Sequence, residues 1–370
     1  MTSLYIKKGQ SVLNQPLELL IEEGHITQIG AKLNVQADST IDLQDDSYIS
    51  AGWIDDHTHC YEKLSLYYDD PDKDGYTTGV TTVIDAGSTG ADNISDFYEI
   101  TRNKRTNVYA MINISRTGIL AQDELADLNK IQFEPLKQKV KEYPDFIVGL
   151  KARISKSVVG ENGLEPLLLA KRFQKQLDNN LPLMVHVGTN PPELSEIMDK
   201  LGRNDIITHC FNGKSNGILD SDGRIKDFVY QGLEKGIIFD IGHGTDSFNF
   251  ETAKVATEQN IFSKSLSTDI YHANRERGPV YNMATCIEKM LFLGYELRDV
   301  IPMITTVPAR NFHLKNKGDL RIGKDADITI FDIKDGQKEL IDSDGNKRIT
   351  HQMVKPRYSI IGGQVYSIGE

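Results

Sequence analysis

Six side chains in this sequence have types and spacings that suit metal-assisted chemistry. The stretch GWIDDHTHC places His57 and His59 two residues apart. Side chains alternate along an extended backbone, so i and i+2 share a face and both imidazoles can reach one cation. A lone His-x-His pair recurs by chance, but this one closes an apolar run. Other polar residues stand at the ends of similar runs: His186 in LPLMVHVG, His209 in NDIITHC and Asp269 in KSLSTDI. Lys151 sits among apolar neighbours in DFIVGLKARIS. A lysine in such a place is costly unless it is paired or chemically altered. Nitrogen and oxygen donors of this kind suit Zn2+, and Mn2+, Fe2+ and Co2+ take the same donors.

The elements that must position these residues read as repeated strand–helix units. Strands are expected at 52–57, 81–87, 108–115, 146–154, 182–188, 205–210, 237–243 and 265–270. Helical patterns such as GLEPLLLAKRFQKQLDNN and PPELSEIMDKLG lie between them. Alternating strands and helices imply a parallel sheet. Eight units over roughly 250 residues suit an α/β fold of the (β/α)8 TIM-barrel type, whose active sites lie at the C-terminal strand ends. Both ends of the chain are strand-rich instead, with SLYIKKG and PLELLIEEGHITQIG at the start and DADITIFDI and RYSIIGGQVYSIG at the finish. The expected organisation is a small β-sandwich from residues 1–51 and 315–370, with the barrel, 52–314, inserted between them.

The order His-x-His, Lys, His, His, Asp resembles the binuclear amidohydrolases: dihydroorotases, hydantoinases, phosphotriesterase-like enzymes and related deacetylases. The flanks agree. SAGWIDDHTH is similar to the family's first-strand "PGfIDxHxH", DGYTTGVTTVIDAG to its "GVTT" strand, and TTVPARNFHL with KGDLRIGKDADITIFD to its closing segment. The resemblance spans nearly the whole chain and also implies the terminal β-sandwich. It implies that His57, His59, Lys151 and Asp269 hold one divalent metal, and Lys151, His186 and His209 a second. It implies a CO2-derived carbamate on Lys151, which turns a cation into a bridging anion. Two metals about 3.5–4 Å apart lower the pKa of bound water and polarise a carbonyl. Asp269 is then expected to serve as general base and acid.

Where dihydroorotase relatives carry a carboxylate-gripping arginine, two residues after the second histidine, this chain has Tyr61. Adenine deaminases of the superfamily generally carry a glutamate at the position of Lys151. Substrate contacts are expected instead from Arg116, Arg153, Asn212, His243 and Tyr271, all near strand ends, with Arg116 or Arg153 as a fork for a substrate carboxylate. Gly242 and Gly244 suggest a close-approach loop around His243. Cys60 and Cys210 neighbour ligands in sequence, but alternation turns them outward, as buried thiols. His25, His272, His313 and His351 are given no role.

The chain has 370 residues and a formal net charge of −11, which disfavours nucleic acid and anionic membranes as partners. Three cysteines give no disulfide framework and fit a reducing compartment. No apolar run reaches signal-peptide length at the start, or the roughly 18 residues of a membrane span elsewhere. A cytoplasmic protein acting on a small molecule is expected, and a homo-oligomer is compatible with the resemblance. The leading expectation is hydrolysis of a small acyl amide or ester, such as an N-acetyl or O-acetyl group on a carboxylate-bearing compound. The alternatives are a cyclic amidase, an adenine deaminase-like enzyme, or a non-catalytic barrel scaffold, which would not need the full ligand set.

Overall fold

The computed structural model describes residues 3–44 and 46–369. The chain begins with β1 (Ser3–Gln10), β2 (Pro16–Glu22), β3 (His25–Gly30), β4 (Ser39–Asp42) and β5 (Tyr48–Ala51). It continues through β6 (Trp53–Thr58), β7 (Val80–Ala86), β8 (Asn107–Asn113), β9 (Ile147–Ile154), β10 (Leu183–Val187), β11 (Ile206–Thr208) and β12 (Ile238–Phe239). It ends with β13 (Ile328–Ile341), β14 (Lys347–Ile361) and β15 (Gln364–Ser367).

Strands β6 to β12 pair in chain order in one parallel sheet. Every residue of β6, β7 and β9 is buried. Helices cover one face of such strands and the barrel interior lies on the other, which is why they read as nearly continuous apolar runs. Residues 265–270 form no regular strand, contrary to the expectation of an eighth. They still close the barrel. Ser265 bridges to Asp240 and Ile270 to Thr58, while Asp269 N donates to His57 O at 2.7 Å and His59 N to Ile270 O at 2.8 Å. The left-handed φ of 51° at Asp269 breaks the extended run. The result is the (β/α)8 barrel-like fold with its last position irregular.

The terminal strands form one hydrogen-bonded sheet in the order β15-β14-β13-β5-β1-β2-β3, with β4 also on β1. The sheet forks because β1 offers one edge to two partners: residues 4–7 to β4 and Gln10 to β5. The start of β3 meets the segment that leads into β13. His25 bridges to Asp325, and Ala326 N donates to Gly24 O at 2.8 Å. This sheet, built from both chain termini as expected, curls around its own core of Ile6, Leu19, Ile26, Ile49, Ile328 and Ile360. Trp53, buried at the start of β6, packs in a tilted arrangement against Phe331 of β13, with ring centres 5.2 Å apart, and joins the two bodies.

The β13–β14 hairpin extends well past this sheet. At about 3.3 Å per residue, fourteen residues reach about 45 Å. The hairpin lies on the helix Met283–Phe292, where Glu288 accepts from Val354 N at 2.9 Å and from Lys338 Nζ at 2.6 Å. Its tip arrives at the loop that follows β12: Ser343 Oγ donates to Gly244 O at 3.2 Å. Among the described residues no helix is long and apolar enough to cross a membrane.

Candidate metal centre

The six residues singled out by the sequence converge at the C-terminal ends of the barrel strands. Asp269 Oδ1 lies 3.3 Å from His57 Nε2 and 3.2 Å from His59 Nε2, and these three residues offer ligand atoms within 4.8 Å of one another. Lys151 Nζ is 3.0 Å from His57 Nε2 and 3.2 Å from Met184 Sδ. His209 Nε2 faces His186 Nδ1 at 2.8 Å. The His57 and His209 rings are 5.2 Å apart, which ties the two groups into one cluster.

Hydrogen bonds on the outer side of the rings decide which nitrogen faces inward with a lone pair. Thr208 Oγ1 donates its proton to Asp240 Oδ2 at 2.7 Å, so it must accept from His57 Nδ1 at 3.0 Å. His209 Nδ1 lies 2.6 Å from Gly242 O, a carbonyl that can only accept. Both imidazoles therefore carry their proton on Nδ1 and present Nε2 as a free donor, the arrangement a metal ligand needs. His59 Nδ1 meets Ser88 Oγ at 2.8 Å. Asp240, which anchors this outer layer, also accepts from Ser265 and Ser267 at 2.8 and 2.7 Å.

The electrostatics point the same way. Burial pulls the His57 and His186 pKa values well down and brings His209 to about 4, so these rings are neutral at physiological pH. Burial also brings Lys151 down to about 7, which leaves much of it as a free amine. For Asp269, burial pushes upward. The His59 hydrogen bond, first among the opposing influences, helps to hold the carboxyl below its usual range. Imidazole lone pairs, an ionised carboxylate and a lysine that is partly free amine form a donor set that fits divalent cations.

Two of these six residues adopt backbone conformations that side-chain-bearing residues rarely take: φ is 69° at His209 and 51° at Asp269. The following loop makes room for them. A Cβ on Gly244, itself at φ +56°, would stand 2.4 Å from Asp269 Oδ2. One on Gly242, at φ +47°, would stand 2.0 Å from Thr208 Oγ1.

A cavity of about 240 Å³ opens above these residues, and Arg153, Tyr271, Tyr67, Lys214 and Asp246 are on its wall. Of the five residues expected to contact substrate, Arg153 and Tyr271 line this cavity. Arg153 is buried, with Nη1 3.3 and 3.1 Å from the two Glu124 oxygens and its guanidinium 5.6 Å from the Tyr67 ring centre. Tyr271 OH meets Thr245 Oγ1 at 2.9 Å.

The other three do not reach the cavity wall. Arg116 sits on the surface, bound to Asp92 at 2.9 Å, because the chain turns outward after β8. Asn212 is buried in the loop after β11, bridging His209 O and Lys214 N. His243 is turned off the strand pattern by the left-handed glycines on either side. It stacks on Phe248 at 4.7 Å and accepts from Lys289 Nζ at 2.6 Å. Tyr61 also points away, donating to Asp96 at 2.8 Å. Cys60, Cys210 and Cys286 are buried free thiols.

Known proteins place this geometry in a family. A deacetylase of Enterococcus faecalis (strain ATCC 700802 / V583) is 52% identical over 364 residues, 98% of each chain. The chain belongs to the deacetylase-like family. Residues 320–367 match the family model described as a deacetylase-like composite domain. A deacetylase of Brucella anthropi is 34% identical over 350 residues, 94% of this chain and 86% of its own. Among solved structures, one described as an adenine deaminase is 51% identical, with a TM-score of 0.97 over 99% of this chain and 100% of that one. Another, described as a dihydroorotase, is 31% identical, with a TM-score of 0.90 over 100% and 98%. These neighbours lie in the amidohydrolase superfamily, and this deacetylase-like chain is a hydrolase.

The residues missed from sequence are those in loops. Glu124, Tyr67 and Lys214 follow no strand or helix period, so nothing in their spacing sets them apart. For Lys214 a faint signal existed: a lysine five residues beyond His209, in HCFNGK.

Proposed function

We propose that this deacetylase-like protein is a two-metal hydrolase that removes a small acyl group, such as acetyl, from the nitrogen or oxygen of a compact carboxylate-bearing compound. The observation that carries the reading is the convergence of His57, His59, Lys151, His186, His209 and Asp269 beneath a cavity that also holds Arg153. The names of the relatives over nearly full length support the acyl chemistry.

Zinc is the cation that best suits the donor set. His57, His59 and Asp269 would hold one ion, His186 and His209 the second, and Lys151 both. A buried ammonium between two dications would be repelled. As a free amine, Lys151 Nζ can instead add CO2 and lose a proton, giving a carbamate with two donor oxygens. When bound, the two cations supply Lewis acidity toward a carbonyl and make water more acidic.

The remaining work falls to the chain's own groups. Asp269 Oδ1 is the oxygen turned toward His57 and His59, so Oδ2 would accept a proton from the attacking water and return it to the departing nitrogen or oxygen. Arg153, aligned by Glu124, turns its remaining N–H groups toward a substrate carboxylate. The aromatic edge of Tyr67 against Tyr271, 5.0 Å between centres, walls the mouth and limits substrate width.

A panel of N-acetyl amino acids, O-acetyl hydroxy acids, dihydroorotate and adenine tests the reading with zinc-loaded protein. Acetate release from the first two classes, at kcat/KM at least about 10³ M⁻¹s⁻¹, is the expected result. Adenine is included because the 51%-identical solved structure carries that description. Ammonia release from adenine without acetate release from any acyl compound would replace this reading with deamination.

A further inference from the structure

Arg153 is only partly free for a substrate, because Glu124 already occupies its Nη1. The other cation on the cavity wall is Lys214. It is half-buried, and among the described residues only its backbone is engaged: N donates to Asn212 Oδ1 at 3.0 Å and O accepts from Gly217 N at 2.9 Å. A half-buried ammonium gives up hydration and needs a partner to recover it. Among the described residues no side chain provides one.

The backbone around Lys214 is fastened on two sides. Asn212 ties it to a ligand residue, donating from Nδ2 to His209 O at 2.8 Å while receiving Lys214 N. Gly213 packs against the tip of the β13–β14 hairpin so closely that a Cβ would stand 2.6 Å from Asp344 Oδ2. Asn249 Nδ2 secures that same carboxylate at 2.7 Å. A lysine that only solvates a surface needs no such anchoring.

Arg153 belongs to β9, His186 to β10, and Lys214 lies in the loop after β11, and all three line the same cavity. Long side chains entering one cavity from neighbouring positions around the barrel can meet on one carboxylate. We infer that Lys214 is a specificity-determining residue that grips the substrate carboxylate together with Arg153 and makes the enzyme select anionic over neutral acyl compounds. The identity of the compound rests on the acyl-hydrolase reading above; the charge preference does not.

The test uses a ligand that cannot be hydrolysed. 4-Oxopentanoate replaces the amide nitrogen of N-acetylglycine by carbon, and 4-oxopentanamide is its neutral counterpart. Both are titrated calorimetrically into zinc-loaded native protein and into Lys214→Met, Lys214→Gln, Lys214→Arg and Arg116→Met. The native protein should bind the acid at least about tenfold more tightly than the amide. Met and Gln at 214 should abolish most of that ratio, Arg should restore it to within about threefold, and Arg116→Met, altered at a surface pair, should keep it. Either Met or Gln retaining the native ratio overturns the inference, as does a native protein that shows no preference for the acid. Acetate release from N-acetylglycine is measured in parallel. A Lys214-dependent preference without acetate release would refute deacetylation and leave Lys214 as the anion anchor.

Discussion

At the scale of single residues, the account turns on Asp269 and the space around it. Asp269→Asn keeps the shape of the side chain but removes its proton acceptor. It should lower kcat by about 10²-fold or more, the usual worth of general acid–base catalysis. A near-native kcat in steady-state assays would assign proton transfer elsewhere. Gly244→Ala probes the room Asp269 needs. The added methyl meets Oδ2 at 2.4 Å on a backbone at φ +56°. Gly163→Ala is a control at positive φ, +55°, where a Cβ meets nothing within 4 Å. Both substitutions put a side chain at positive φ and should lower stability in urea unfolding. Only Gly244→Ala should also lower kcat, by about tenfold or more. Equal kcat losses in the two variants would mean that the loop tolerates the methyl and that strain alone is responsible.

At the scale of elements, the hairpin tip is the part with a testable structural duty. Asp342 accepts from Asp344 N at 3.0 Å, Asn346 N at 2.8 Å and Phe250 N at 3.0 Å, so it shapes the tip and holds the start of the helix Phe250–Glu258. Asp342→Ala strands these donors, and a loss of about 2–4 kcal/mol is expected in denaturant unfolding. Because Ser343 beside it holds Gly244 O, kcat should fall severalfold as well. Unchanged stability would show that the tip is not fastened as described. Much of the element plan was legible in the sequence, since parallel strands buried on both faces leave apolar runs and ligands at strand ends mark the barrel mouth. The misreadings have physical causes. Residues 265–270 pattern as a strand, but the left-handed Asp269 and isolated bridges replace a regular ladder. His243 obeys alternation on paper, and two left-handed glycines turn it to Lys289 instead. Arg116 looked equivalent to Arg153 until the turn after β8 gave it to Asp92.

At the scale of the whole molecule, the proposed ligands connect strands that are far apart in sequence. His57 and His59 come with β6, Lys151 with β9, His186 with β10, His209 after β11, and Asp269 with the irregular segment that closes the barrel. Bound cations should therefore stabilise the closed barrel by mass action, and chelation should lower the melting temperature by several degrees. The most direct measurement is the metal content of the native protein by plasma mass spectrometry, taken on the same sample as its acyl-hydrolase activity. The account predicts about two divalent ions per chain, with activity lost as they are stripped and regained as zinc is restored. Full activity in a sample holding no divalent metal, or no more than about one ion per chain, would contradict it.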